Sequence, residues 1–309
     1  MFNLLFVVFS FAFQFFVTNE IKVVIKLKLS HMKTLFTLVQ VLAFTFLFAK
    51  HKTITIDKAY KTGVATIKIR GTGTYRGNCL KINIKNNGDD SLFVLLEAGR
   101  RLDSKNNGEQ DILVTKEQLY KLEPRQKKEF FVYGFCCQAS NHAPSKDSLF
   151  SIGKMADSNL VSLARYCDKN KLSIPETQSA VWCVSDKRPL ASISASNESL
   201  RYFVSLITKE EMPWYQLEYH DATSNTVFSD RVERVTGNIM YTLTKDDFYK
   251  IELHDAKGNL IQNFTDNKVA AKGTYDYWFN MQVSNYPKGK YYIHIYNGNE
   301  LVTKKEFVI

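Results

Sequence analysis

Hydrophobic and polar residues alternate along much of residues 51–135. In the segment CLKINIKN (79–86), Leu80, Ile82 and Ile84 are separated from one another by a lysine or an asparagine. A period of two is typical of a β-strand with one buried face and one face in water. Similar short apolar segments, separated by Gly, Asn and Asp, are GVATIKI, SLFVLLEA, DILVT and KKEFFVYGF. We therefore expect a mainly β fold that begins with a β-sandwich-like domain.

The spacing of apolar residues becomes helical after Pro144. A helix is predicted to begin behind a capping Asp157 or Ser158, because the apolar residues that follow recur at helical intervals: Leu160, Leu163, Ala164 and Cys167.

A second helix is predicted to begin at Pro175, since proline is favoured in a first helical turn. Gln178, Val181 and Trp182 then fall at i, i+3 and i+4, so they share one face of this helix. The two helices, near residues 157–186, are expected to be an insertion in a first domain that spans residues 50–190.

Two further regions are expected in the remainder of the chain. Residues 191–212 are predicted to be a linker, because the segment ASISASNES is small and polar. Residues 213–309 contain about seven short apolar segments with hairpin turns at Gly258 and at Asn297-Gly298, the number expected for an immunoglobulin-like antiparallel β-sandwich.

Residues 1–49 contain two apolar segments that are each too short to predict a membrane-spanning helix. The second segment follows Lys33 and ends in small residues near Ala49, which is the layout of a secretory signal peptide. We expect residues 1–49 to be a signal peptide region and Met32 to be the true start. A two-helix membrane anchor is the alternative.

Charge and motif content narrow the classes of function. The formal net charge is +10, and residues 1–49 carry four lysines and one glutamate, so the rest of the chain carries +7. Its basic residues are dispersed and form no stripe interleaved with aromatic residues, so we expect no nucleic-acid partner. The sequence contains no paired carboxylates at active-site spacing, no phosphate-binding glycine loop and no zinc motif. We expect neither an enzyme, nor a metal, nor a cofactor.

The chain has five cysteines, at positions 79, 136, 137, 167 and 183, and residues 184–309 contain none. An odd number leaves at least one cysteine without an intrachain disulfide partner. In an exported protein such a cysteine is expected to be buried, bonded to another group or reactive.

Residues 233–309 resemble the C-terminal sorting domains of type IX secretion cargo. The resemblance rests on the hairpin LHDAKGNLI, on the turn at Pro287-Lys288-Gly289 and on a closing strand that contains Lys304-Lys305-Glu306-Phe307. It implies an immunoglobulin-like export signal that contacts the secretion machinery, and hence a secreted or cell-surface protein. An ordinary structural sandwich is the alternative.

Residues 65–186 resemble thioester-type domains of bacterial surface proteins. Phe135-Cys136 matches the aromatic-Cys strand end of that family, and the segment 177–182, TQSAVW, matches its helical motif. The resemblance implies an internal thioester between Cys136 and Gln178, with Cys137 as the alternative thiol. Aromatic residues would exclude water from such a bond, and the implied wall is Phe135, Tyr133 and Trp182.

This resemblance implies an exported adhesin or binding protein that attaches covalently to a surface ligand bearing an amine or a hydroxyl group. Two alternatives remain. Cys136 or Cys137 can pair with Cys183 or Cys167 in a disulfide, or stay buried, in a non-catalytic display protein with a sorting tail. A hydrolase that uses Cys136 with His142 is the third hypothesis, although His142 has no evident carboxylate partner in the sequence.

Overall fold

The first part of the molecule is a six-stranded closed barrel with a small additional sheet. The computed structural model describes residues 53–221 and 227–309. The elements of this part are β1 (Thr53–Thr55), α1 (Ile56–Lys61), β2 (Ala65–Thr72), β3 (Arg76–Asn86), β4 (Leu92–Leu96), β5 (Arg100–Ser104), β6 (Ile112–Val114), β7 (Gln118–Leu122), β8 (Lys127–Cys136) and β9 (Lys146–Met155).

The barrel closes in the order β2-β3-β8-β6-β5-β9, while β1, β4 and β7 form the separate three-stranded sheet. Neighbouring barrel strands are antiparallel, and Leu80, Ile82 and Ile84 of β3 are buried as the alternation predicts. The sequence predicted a sandwich-like arrangement, and the difference arises at β9. This strand pairs with both β2 and β5, so the sheet has no free edge there.

Helices follow the barrel and cover one side of β8. They are α2 (Ser158–Asn170), α3 (Ile174–Ser185), a 3₁₀ turn (Leu190–Ser192) and α4 (Glu198–Thr208). Asp157 caps α2 by accepting hydrogen bonds from the main-chain N–H groups of Asn159 and Leu160, at 2.9 and 3.1 Å. Pro175 lies in the first turn of α3. Both helices therefore begin where their sequence signals place them.

Residues 191–212, which are predicted to be a linker, contain helical structure. They include α4, which Asn197 caps at its N-terminus by accepting from the N–H of Leu200 at 3.1 Å. Leu200 and Val204 are fully buried at i and i+4, which stabilises a helix in spite of the preceding serines. The contacts of the fold place Thr53–Ile309 in one compact unit.

The last part is a sandwich of two antiparallel sheets. Its strands are β10 (Tyr215–Tyr219), β11 (Val232–Leu243), β12 (Asp247–Asp255), β13 (Leu260–Ala270), β14 (Gly273–Gln282), β15 (Lys290–Asn297) and β16 (Glu300–Val308). One sheet has the order β10-β11-β14 and the other has the order β13-β12-β15-β16. The seven described strands agree with the immunoglobulin-like sandwich predicted for residues 213–309, and the fold is mainly β as expected.

Three apolar cores hold these parts. The first fills the barrel and contains Cys79 and Cys136. The second lies between β8 and the helices and contains Phe135 and Cys137, together with Leu190 and other helical residues. The third fills the sandwich and includes Ala191. Because Leu190 and Ala191 belong to different cores, the 3₁₀ turn contributes to both.

The signal peptide prediction for residues 1–49 lies outside the described residues. Among the helices of residues 53–221 and 227–309, none combines the length and the apolar character that crossing a bilayer requires.

Candidate functional site

The end of β8 places Cys136 and Cys137 on opposite sides of the barrel wall. Cys136 belongs to the core inside the barrel, whereas Phe135 and Cys137 belong to the core under the helices. Successive side chains of a strand alternate in direction, which accounts for this division. The main chain is fixed at both cysteines. The N–H of Cys136 donates to Tyr75 O at 3.1 Å, and the N–H of Cys137 donates to Asp111 O at 2.9 Å.

A glycine lets the end of β8 approach its neighbour closely. A Cβ atom on Gly134 would lie 2.5 Å from Ile112 Cγ2 and 2.8 Å from the carbonyl oxygen of Leu113. Any larger residue would therefore push β8 away from β6. This close pairing sets Cys136 directly opposite Ile112.

The N-terminus of α3 is fixed by a capping arrangement. The carboxylate of Glu176 accepts from the N–H of Ser173 at 3.2 Å and from the side-chain amide of Asn197 at 2.9 Å. The Ser173 hydroxyl also donates to this carboxylate at 2.5 Å, and this hydrogen bond, followed by that from Asn197, holds the pKa of Glu176 below its ordinary value. These hydrogen bonds fix the N-terminus of α3, and Gln178 lies in the turn that follows.

Gln178 brings α3 into direct contact with β8. Its side chain is 1% exposed, and Nε2 donates to the carbonyl oxygen of Cys136 at 2.9 Å. That carbonyl belongs to the peptide bond between Cys136 and Cys137, so the carboxamide lies at the main chain between the two candidate thiols. Gln178 Oε1 is buried and accepts no hydrogen bond from the described residues. The structure thus places together the strand end and the glutamine that the sequence singled out.

Aromatic residues surround this contact. Phe135 is fully buried, Trp182 is 7% exposed, and Tyr133 packs edge-on against Phe135 with ring centroids 5.5 Å apart. Trp182 stacks on Tyr75 at 6.4 Å, and Phe228 packs edge-on against Trp182 at 5.2 Å. Phe135 directly precedes Cys136 in β8 and Trp182 lies one turn after Gln178 in α3, so both residues of the contact have a buried ring beside them along the chain.

Two contacts of Trp182 were missed by the sequence reasoning. Tyr75 precedes β3, and Phe228 precedes β11, where it also lies under the guanidinium of Arg188 at 3.7 Å from its ring centroid. Each is far from Trp182 along the chain, and no local pattern in the sequence connects them.

All five cysteines are free and buried. The disulfides that the sequence allowed between Cys136 or Cys137 and the helical cysteines are not formed in this structure. Burial raises the pKa of the Cys137 thiol to about 12 and raises that of Cys136 well above its ordinary value. Both thiols are therefore held in the neutral form at physiological pH.

The loop after β8 is tied to the barrel. Asp111 N–H donates to Gln138 Oε1 at 2.7 Å, and Gln138 Nε2 returns a hydrogen bond to the Asp111 carboxylate at 2.9 Å. Asp186, at the end of α3, accepts from the N–H of Ala139. The loop is thereby joined to the barrel through Gln138 and to the end of α3 through Ala139. His142 takes part in an isolated bridge with Glu109 further along this loop.

The described residues contain no cluster of three or more His, Cys, Asp or Glu side chains that could hold a metal ion.

Part of the chain matches a known protein family. Residues 235–309 match the secretion system C-terminal sorting domain, a match confined to the sandwich from β11 to β16. No curated protein matches the chain. The sorting domain is that of the type IX secretion system, so the protein is a cargo of that system and is secreted or displayed at the cell surface. The resemblance of residues 65–186 to thioester-type domains stays a prediction.

Proposed function

We propose that this secreted protein is a surface adhesin that attaches to its ligand through an internal thioester between Cys136 and Gln178. The observation that carries the proposal is the position of the Gln178 carboxamide, which is buried against the Cys136 main chain with one of its two polar atoms unpaired. Leaving a buried carbonyl oxygen without a donor costs about 1–3 kcal/mol. An apolar residue would avoid that cost, so packing alone does not account for a glutamine here.

The reaction needs only the groups present at this contact. The Cys136 sulfur attacks Gln178 Cδ, the bond from Cδ to Nε2 breaks, and the nitrogen leaves as ammonia with the proton of the thiol. The product is an acyl thioester, which a ligand amine or hydroxyl group then attacks. That step forms an amide or an ester at Gln178 and returns the Cys136 thiol, so the protein acts once and does not turn over.

The aromatic surroundings suit this chemistry. A thioester in water is hydrolysed, and it persists only where water is excluded. Phe135 and Trp182 are buried next to the contact, and Tyr75 and Phe228 cover Trp182. Before attack, the Cys136 side chain must rotate from the barrel core toward the carboxamide, and the bond from Nε2 to the Cys136 carbonyl must break.

A second candidate is a display protein without covalent attachment, and one observation favours it. The Cys136 side chain packs with Cys79 inside the barrel, on the side opposite the core that contains α3 residues such as Val181. In that case Gln178 only joins the helix to the strand end, and the barrel is presented at the surface by the sorting domain.

Labelling with methylamine separates the two candidates. A thioester takes up methylamine at Gln178 and releases one thiol, so peptide mapping should find N-methylglutamine at that position. Cys136→Ala should abolish the uptake, and Cys137→Ala should leave it unchanged. Absence of methylamine at Gln178 in protein purified without amine buffers would contradict the thioester and favour the display protein. Loss of uptake in Cys137→Ala but not in Cys136→Ala would mean that the thioester forms at Cys137.

A further inference from the structure

A cleft on the helical side of the barrel is a second candidate site. It shares Tyr133 with the aromatic surroundings of the contact between Gln178 and Cys136, but it is lined by neither of those two residues. This cleft of about 350 Å³ opens where the end of α2 and the start of α3 meet the outer side of β8. Its principal lining residues are Thr115, Lys116, Tyr133, Asp168, Lys171 and Leu172. Such a volume is at the lower end of the range for small-molecule sites, about 300–1,000 Å³. The cleft therefore suits a ligand of about one ring.

The floor of the cleft contains an unsatisfied polar group. Thr115 is 2% exposed, and its Oγ1 has no hydrogen-bond partner among the described residues. The neighbouring Thr177 hydroxyl, in contrast, donates to Ser173 O at 2.9 Å. Buried hydroxyl groups in proteins are nearly always paired with protein or ordered water, so the Thr115 hydroxyl is a group that a molecule in the cleft can satisfy.

The rim of the cleft is positively charged. Lys116 and Lys171 are exposed, and neither forms an ion pair with a described carboxylate. Asp168 is the one carboxylate of the lining, and its position is fixed because Oδ2 accepts from the N–H of Glu117 at 3.2 Å. The two lysines and the one aspartate give the rim a net positive charge, and the Thr115 hydroxyl lies below them.

We propose that this cleft binds a sugar that carries a carboxylate group, of the uronic or sialic acid class. The ammonium groups of Lys116 and Lys171 bind the carboxylate, because they are charged donors that form no ion pair with a carboxylate of the described residues. Thr115 Oγ1 and the Asp168 carboxylate bind sugar hydroxyl groups. Tyr133 and Leu172 supply the apolar side that a pyranose ring packs against.

This inference does not depend on the thioester. Its residues do not include Cys136 or Gln178, and a reversible ligand site of this kind also suits a non-covalent display protein at the cell surface. The Cys136→Ala variant should therefore bind the sugar as the unchanged protein does.

Calorimetric titration of the full secreted chain with sodium glucuronate, N-acetylneuraminate and glucose tests the site. We expect saturable binding of at least one acid, and binding of glucose at least tenfold weaker. Thr115→Val keeps the shape of the side chain and removes its hydroxyl, and Lys171→Met removes a rim charge. Each should weaken binding of the acid about five- to tenfold, in line with about 1 kcal/mol for a lost hydrogen bond.

Lys169→Met is the matched control, because Lys169 is exposed in the last turn of the same helix and does not line the cleft. Its affinity should equal that of the unchanged protein. No saturable binding of either acid would overturn the proposal. Equal affinity for glucose and the acids, or an equal loss in Lys169→Met and Lys171→Met, would overturn the role of the rim charges.

Discussion

The buried carboxamide of Gln178 allows a thermodynamic test of the thioester. The perturbation is Gln178→Met, introduced into the unchanged protein and into a Cys136→Ala background where no thioester can form. Methionine is close to glutamine in length and removes both polar atoms, so it isolates the carboxamide from the packing of the side chain.

Without a thioester, the substitution should change stability little. Losing the hydrogen bond from Nε2 to the Cys136 carbonyl costs about 1 kcal/mol, while removing the unpaired Oε1 relieves about 1–3 kcal/mol. In the Cys136→Ala background we therefore expect Gln178→Met to be neutral or stabilising by up to about 2 kcal/mol.

With a thioester, the same substitution also removes a covalent cross-link. The two residues are 42 positions apart, and closing a loop of that length is worth about 4 kcal/mol in the chain-entropy account of cross-links. In the thioester Nε2 has already left as ammonia, so the hydrogen bond worth about 1 kcal/mol is lost only in the Cys136→Ala background. The difference between the two backgrounds, which is the coupling free energy of the double-mutant cycle, should therefore be about 3 kcal/mol.

Urea denaturation of the four proteins, followed by tryptophan emission and far-ultraviolet circular dichroism, measures the cycle. The cost of removing the Cys136 side chain from the barrel core cancels because both proteins of the Cys136→Ala background carry it. A cycle with Cys137→Ala in place of Cys136→Ala is the control, and its coupling should be close to zero.

Two results would refute this reasoning. A coupling free energy below about 1 kcal/mol would mean that no cross-link joins these residues. A loss of more than about 3 kcal/mol on Gln178→Met in the Cys136→Ala background would mean that the carboxamide stabilises the fold, as a joint between helix and strand does.

Three further predictions concern other parts of the molecule. Phe228→Ala should destabilise the protein by about 1–3 kcal/mol and alter Trp182 emission, because it removes an aromatic contact and the cation–π contact with Arg188; unchanged emission would contradict the packing. Burial of Glu252 raises its pKa, but hydrogen bonds from Lys250 and His254 outweigh this and lower it from the ordinary 4.5. Its stabilising effect is therefore fully present above pH 4.5 and is lost as the pH falls toward its lowered pKa, so Glu252→Gln should cost more stability at pH 7 than at pH 3 in urea titrations. An equal loss at both would refute the assignment. Deleting residues 235–309 should prevent delivery to the surface in fractionated cells, and normal display of the truncated chain would contradict a sorting role.

The helices of the candidate site were predictable because their signals are local. Asp157 marks the start of α2, and Pro175 with Glu176 marks the start of α3. The alternation around Ile82 likewise predicted which side of β3 is buried. The helical signal of α4 was weaker. Its buried residues follow a segment of small polar residues before Asn197, and that segment is typical of a linker.

Closure of the barrel could not be read from the sequence. It depends on pairings such as Ile69 with Phe150 and Asp103 with Ser151, between strands that are far apart along the chain. Alternation shows that a strand has a buried face, but it does not show which strand lies beside it.

The proximity of Cys136 and Gln178 followed from the family resemblance and not from a local pattern. The unpaired Thr115 hydroxyl was also beyond prediction, because its environment is assembled from β8, α2 and α3. Such sites depend on which polar atoms remain without a partner after folding, and that is a property of the packed structure.

The mass of the intact secreted protein tests the central claim most directly. The protein should be purified at near-neutral pH without amine buffers or reductants, and its two ends established by peptide mapping. A thioester between Cys136 and Gln178 predicts a mass lower than that of the sequence by one ammonia molecule, and the difference should disappear in Cys136→Ala. The full mass of the sequence, found in protein that has never met an amine nucleophile, would contradict the thioester.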